Sequence, residues 1–520
     1  MNNELEKLYQ DRLNALKIEN GEITEIKFLE EVKSPLSSDG MLMNDIPERC
    51  EVYATLRPTK NSDIKIVVGF PLENWNGRFL GTGNGGAAGS LVMQEVNAGV
   101  ARFFATANTD MGTTPDEKMC NNSDRWVDFG HRATHLMTVV GKQITEAFYD
   151  RKIERSYFIG GSTGGGQGLH EAQRYPDDYD GIVSICPANN RVNTHQAFVW
   201  ELQATCSDEK AAFTNEQIAA VRNRVLERYA EKSGSAPGDQ FLSYPGKINF
   251  EPDDVYSLFD GLGLTDTQLN VLKQLHNFPN VPGTDKHILP PLPLGCESSA
   301  LILSSLKVAF EKLLVFLHRW CFGCDFKWQD FDFNEGYLQM VEALRNDFDA
   351  TNPDLSVYKK CGHKLILITG SVDSLINYAD VKNYYASVVD KMGGIDNVTD
   401  FFRYFHVPGL AHCAGGPGLQ EIGNTMGLPC IPCDREHDAL EAVIAWVEQG
   451  VAPDVLLPVA LKDSVTENSV SLDGTIRSVT GGKEIDYERP VYPYPYETEY
   501  IGGDRKNKDS FRKKLGNGVY

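Results

Sequence analysis

From about Val52 to Asn190, short runs of β-branched and aromatic residues alternate with Gly-rich turns and helical stretches: IKIVVGF (64–70), RFLGTGN (78–84), RFFATAN (102–108) and SYFIGG (156–161). Near-continuous apolar runs of this length, separated by helices, are what strands buried on both faces of a parallel sheet look like. The pattern returns late in the chain as KLILITG (364–370) and FFRYFHVPG (401–409), followed by the helix DALEAVIAWVEQG (438–450). Between the two zones, from about Ala204 to Ser356, helical periodicity takes over in NEQIAAVRNRVLERYAEK and LTDTQLNVLKQLH, with an aromatic run from Phe316 to Phe333. A single α/β core in two parts, 1–203 and 357–520, interrupted by a helical insert at 204–356, accounts for all three textures. A length of 520 residues accommodates such a fold with a large insertion.

The segment that carries chemistry is Gly160-Gly161-Ser162-Thr163-Gly164, directly after the apolar strand SYFI and before the helix-forming GLHEAQRY. It fits the G-x-S-x-G pattern, in which a serine sits on a strained strand-to-helix turn that only small neighbours allow. The turn projects the hydroxyl and leaves backbone N–H groups at a helix N-terminus free to receive negative charge. The bland alternative is a Gly-rich turn or phosphate nest, but a P-loop requires a lysine that is missing here. A serine nucleophile needs a base, and the base an orienting carboxylate. In α/β-hydrolases these follow in the order Ser, Asp/Glu, His at strand ends. Asp373 follows KLILITG and His412 follows RYFHVPG, so both satisfy order and placement. Asp373 could instead be a helix N-cap, and His412 an ordinary loop histidine. His170, His363 and His406 compete for the role of base from positions on a helix or within or before a strand. For an oxyanion hole the pattern points to the amide of Thr163 and to a Gly-rich turn after RFLGT, Gly83 to Gly86, with Gly86 as the second donor.

The charge balance excludes one class of partner. Fifty basic against 72 acidic residues give a net −22, which repels nucleic acid and anionic lipid. No apolar stretch approaches the length needed to span a bilayer. The charged N-terminus has no signal-like apolar region; Leu5, Leu8, Tyr9, Leu13 and Leu16 there predict an amphipathic helix that docks on the rest. With 11 cysteines in a long chain, a disulfide scaffold is not expected and a reducing, cytoplasmic setting fits. Cys321-x-x-Cys324 and Cys430-x-x-Cys433, with His437 nearby, lie too far apart for the usual zinc spacing, so no metal is expected. Aromatics such as Phe326 and Trp328 are core by default, yet their density in an insert over the site also suits an aromatic substrate pocket.

Taken together, the segments 51–86, 128–150 and 156–188, with FKWQDFDF (326–333), GSVDSLI (370–376) and YFHVPGLAHCAGGPG (404–418), resemble the tannase and feruloyl esterase family of α/β-hydrolases, relatives of mono(hydroxyethyl) terephthalate hydrolase. The resemblance spans roughly Val52 to Pro453. It implies an α/β-hydrolase fold with a lid at about 204–356, Ser162 as nucleophile, Asp373 as acid and His412 as base. The implied activity is hydrolysis of aromatic or phenolic acid esters through an acyl-enzyme. An acyltransferase, an esterase of non-aromatic esters, and a catalytically silent binding module are the competing readings. Two departures stand out. The family carries a cysteine before the serine, bridged to the cysteine after the histidine; here Gly161 precedes Ser162, so Cys413 has no such partner. The family's lid also holds an Asp/Gly-rich calcium loop, whereas YAEKSGSAPGDQFLSYPGKINFEPDD lacks that spacing. No cofactor, and indifference to reductant and chelators, is the resulting expectation.

Overall fold

A computed structural model describes residues 3–36, 42–114, 117–305, 314–423, 427–462 and 484–516. Nine strands form the central sheet: β1 (Gly21–Leu29), β2 (Arg49–Leu56), β3 (Ile64–Pro71), β4 (Arg78–Thr82), β5 (Ala105–Thr109), β6 (Arg155–Gly161), β7 (Gly181–Ile185), β8 (Lys364–Gly370) and β9 (Phe402–Val407). Their spatial order is β1-β2-β3-β5-β4-β6-β7-β8-β9. From β5 to β9 all neighbours are parallel, as the buried apolar runs imply. The first three strands depart from that expectation. They run antiparallel to their neighbours, including β3 against β5, because among the described residues β1 to β3 are linked by turns and loops without crossover helices. RFFATAN enters the sheet only at Ala105.

Alternation along each central strand sends side chains to two separate cores. Phe158, Ile182, Leu365, Leu367, Phe402 and Tyr404 pack on one face. Tyr157, Ile159, Val183, Ile185, Ile366, Ile368, Phe405 and Val407 pack on the other. The first face is covered by the helices Ala133–Tyr149, Thr163–Arg174 and Tyr378–Lys391, the second by Ala439–Gln449, whose Leu440, Val443 and Ile444 are buried. At about 25 cal/mol per Å² of apolar surface, this two-sided burial is the main term holding the strand ends in place. The N-terminal helix Asn3–Ala15 docks through half of its apolar stripe. Tyr9 stacks on Phe148 at 4.0 Å and Leu13 is buried, while Leu5 and Leu8 stay exposed.

The insert leaves the sheet after β7 and returns at β8. Its helices include Asn215–Tyr229, Asp266–Leu275, Phe316–Phe322 and Glu335–Phe348, with a separate core around Val221, Leu272 and Leu275. The helix Arg191–Cys206 runs without a break across the 203/204 boundary drawn from sequence texture, since its buried residues continue through Leu202, Ala204 and Thr205. No helix among the described residues is long and apolar enough to cross a membrane.

Candidate active site

Ser162 stands at the carboxyl end of β6 with φ +59° and ψ −118°, a conformation that ordinary residues avoid. The surroundings hold it there. Its N–H donates to Ile185 O at 2.9 Å, and its carbonyl accepts from Gly166 and Ala188 at 3.1 and 2.9 Å. The turn also needs bare backbone: a Cβ on Gly83 would lie 2.4 Å from Gly164 Cα, so the loop after β4 can approach the helix N-terminus only as glycine against glycine. That approach is locked by Gly164 N–H donating to Asn84 O at 2.7 Å and by the Thr163 hydroxyl donating to Gly86 O at 2.7 Å. The Thr163 and Gly86 amides, the expected oxyanion donors, flank Ser162 on a common cavity, and neither is used in a backbone hydrogen bond among the described residues.

Asp373 and His412 come together from the loops after β8 and β9. His412 Nδ1 donates to Asp373 Oδ2 at 2.9 Å, and Oδ1 accepts the N–H groups of Leu375 and Ile376, both at 2.9 Å. The N-cap alternative for Asp373 fails, because Asn377 caps the helix Tyr378–Lys391. Three bonds to a carboxylate that is 1% exposed fix both its rotamer and the imidazole tautomer. Burial disfavours the charged imidazole, but the Asp373 carboxylate and the Cys413 thiol outweigh it and hold the pKa of His412 well above its ordinary 6.5. Ser162 and His412 line the same cavity, with no hydrogen bond between hydroxyl and imidazole; such bonds are often long before substrate binds. A base must be neutral, so kcat/KM is expected to rise with pH along a limb whose midpoint lies above 6.5. Removing the negative charge in Asp373→Asn should move that midpoint down; a limb unmoved in the variant's residual activity would contradict the pairing. The competing histidines are elsewhere: His406 is buried against Ser243 O, and His170 against Phe348 O, both with pKa values pushed down by burial to about 3.

The cavity is lined by Gly86, Ser162, Thr163, Ala188, Arg191, Thr194, His195, Phe198, Leu314, Phe316, Leu375, Ile376 and His412. Phe326 and Trp328, expected on its wall, are not there. Phe326 stacks on His318 and Phe322, and Trp328 is 6% exposed in the main core, because the aromatic run folds onto itself to fill the insert. The aromatic surface comes instead from Phe198 and Phe316. Arg191, Thr194, His195 and Phe198 all escaped the sequence reading. They follow β7, and the rule that sites gather at the carboxyl ends of parallel strands was the available signal.

The cysteines require a correction. Cys120 and Cys324 form a disulfide, Cα atoms 6.1 Å apart, whereas the cysteine content fits a reducing setting. Cys50 is a buried free thiol. Spacing could not reveal this bridge, because it joins the core to the insert across 204 residues. It gives no support to a reducing, cytoplasmic setting. The two C-x-x-C pairs do not converge: Cys324 is bridged, while His437 is held between Asp434 and Glu488. Beside the site, a Cβ on Gly161 would lie 2.8 Å from Cys413 Sγ, so glycine leaves the room that this thiol occupies. Cys413 lies close to Cys186, whose hydrogen bond pulls the Cys413 thiol down to about 6. Cys186 and Cys413 both have positive φ, +41° and +67°, so strained backbone surrounds the catalytic corner on three strand ends.

Comparisons with known proteins point to one fold and one family. Residues 50–288 and 325–513 match the family described as Tannase and feruloyl esterase. The probable feruloyl esterase B-2 of Aspergillus fumigatus is 30% identical over 488 residues, covering 88% of this chain and 84% of that protein. In structure, feruloyl esterase B from Aspergillus oryzae superposes with a TM-score of 0.82 at 23% identity, over 97% of this chain and 100% of its own. Tannin acyl hydrolase from Aspergillus niger superposes at 0.68 and 17% identity, over 98% and 95%. With the Gly-flanked serine turn, the sheet order and a family match over most of its length, the chain is an α/β-hydrolase belonging to the tannase and feruloyl esterase family, a carboxylesterase.

Proposed function

We propose that the protein is a serine esterase that hydrolyses esters of aromatic or phenolic acids, of feruloyl, galloyl or terephthaloyl type, through an acyl-enzyme on Ser162. The observation that carries this reading is the Asp373–His412 bond facing the same cavity as the strained Ser162. His412 takes the hydroxyl proton as Ser162 attacks the ester carbonyl, and the Thr163 and Gly86 N–H groups receive the oxyanion. The imidazolium returns its proton to the leaving alcohol, and water then cleaves the acyl-enzyme. The scheme draws on no metal, and residues 204–356 act in it as the lid that shapes the acyl pocket. Phe198 and Phe316, together with Leu314, Leu375 and Ile376, suit an aromatic acyl group, and the names of the relatives point the same way.

Rapid mixing with excess 4-nitrophenyl ester should release a burst of nitrophenol stoichiometric with enzyme, followed by slower turnover. Phe316→Ala should raise KM for hydroxycinnamate esters more than for acetate esters. Absence of an acyl-enzyme by mass spectrometry under these conditions would sink the mechanism, and equal effects on both ester classes would sink the assignment of Phe316.

A further inference from the structure

A second group of side chains stands at the opposite end of the sheet from the catalytic cavity. His135 lies on the helix Ala133–Tyr149, Glu171 in the last turn of the helix Thr163–Arg174, and Asp178 in the loop just before β7. One ligating atom of each lies within 4.8 Å of the other two. His135 Nδ1 and Asp178 Oδ2 are 2.7 Å apart, and the imidazole stacks on Tyr175 at 3.9 Å, so its orientation is set in advance. Glu171 is 1% exposed, yet among the described residues no N–H or alcohol O–H reaches either carboxylate oxygen. It faces a second carboxylate, Asp178, with which it can share one proton. Lys142, whose ammonium donates to the Asp178 carbonyl, acts on Glu171 from beyond hydrogen-bond distance. One positive charge beside two carboxylates leaves negative charge unbalanced. A shared proton satisfies one oxygen of Glu171 and leaves the other buried and bare, which is costly. A cation between the three side chains removes both defects.

We propose that His135, Glu171 and Asp178 bind one divalent transition-metal ion of the zinc class, which ties the helix that begins at the serine turn to its neighbour and to the loop before β7. The proposal does not rest on the esterase reading, and the ion takes no part in the chemistry at Ser162. One imidazole nitrogen with two carboxylates suits Zn²⁺, whereas Ca²⁺ and Mg²⁺ take oxygen ligands. Ligand atoms about 2 Å from a common ion stand roughly 3 Å apart, a spacing that His135 and Asp178 already have. With its proton on Nε2, His135 turns the Nδ1 lone pair to the ion. His135 and Asp178 are only half-buried, which leaves a way in from solvent.

The test uses the full chain, stripped with EDTA and dialysed. Saturating ZnCl₂ should raise the thermal midpoint by several degrees, and EDTA should reverse the rise, against the indifference to chelators expected from the sequence. CaCl₂ and MgCl₂ at the same concentration should not reproduce it. Titration with CoCl₂ should give visible absorption saturating at one ion per chain, without thiolate-to-cobalt charge transfer. That band separates this site from the two other groups of candidate ligands among the described residues, since Cys186 with His412 and Cys413, and Asp177 with Cys361 and His363, both contain thiols. Glu171→Gln and His135→Ala should each weaken binding by about tenfold or more and abolish the rise. Should the buried Glu171→Gln fail to fold, the half-exposed His135→Ala decides. Three results overturn the proposal: no zinc-dependent rise in the parent, cobalt absorption carried entirely by thiolate charge transfer, or parental affinity in His135→Ala.

Discussion

Ser162→Ala should lower kcat by at least ~10³ on any ester the protein turns over, and His412→Ala by a similar factor, because residues that act as a unit fail together. Asp373→Asn should fall in the same range for a different reason. The variant amide can donate where the carboxylate accepted, so the imidazole loses the Nδ1–H tautomer that the 2.9 Å bond enforces. None of the three substitutions creates a cavity in either main core, and all three proteins should remain folded, with thermal midpoints near that of the parent. A Ser162→Ala protein that keeps even a tenth of parental activity would mean that another nucleophile operates. Combining Ser162→Ala with His412→Ala should add little beyond either alone, and an additive loss would separate the two residues mechanistically.

Reduction of the Cys120–Cys324 bridge should cost about 2–5 kcal/mol of stability, since a long closed loop restrains the unfolded chain most. The bridge also has a local consequence for the site. Cys324 follows the helix Phe316–Phe322, and Asn121 N–H donates to Trp320 O at 2.8 Å beside it. Phe316, at the start of that helix, is part of the cavity wall. Dithiothreitol, or a Cys120→Ser, Cys324→Ser double variant, should therefore lower the unfolding midpoint and raise KM for aromatic esters. Unchanged midpoints in both would remove the bridge from the stability account. This replaces the indifference to reductant expected from Gly161 leaving Cys413 without a bridge beside the serine.

What could be read from the sequence divides along physical lines. Ser162, Asp373 and His412 each follow an apolar run that ends in glycine, so local composition marks the strand end and the loop beyond it. The parallel central strands were legible for the same reason, their burial on both faces writing itself into unbroken apolar runs. Strand direction at the sheet's other edge was not, because β1 to β3 pair antiparallel with apolar runs that look alike in either orientation. The cavity wall was missed because it is assembled from segments far apart in the chain. Phe326 and Trp328 have the right chemistry for it, yet they pack among neighbours of their own insert, whereas Phe198 and Phe316 meet across the site. The bridge belongs to the same class of fact: the spacing of Cys120 and Cys324 carries no trace of their proximity.

Strands β7 and β8 are neighbours in the sheet, yet the whole insert separates Ile185 from Lys364. Closing that pair brings together distant parts of the chain, and such non-local pairing is slow to form. During synthesis β6, the serine turn and β7 leave the ribosome well before β8 and β9 exist, so Ser162 is laid down long before His412. Until the late strands arrive, β7, whose five residues are all buried in the finished fold, presents an unpaired edge, the kind of surface on which chains associate with one another. The order of the strands thus makes the second half of the chain both the activator of the first and the cover that keeps it from aggregating.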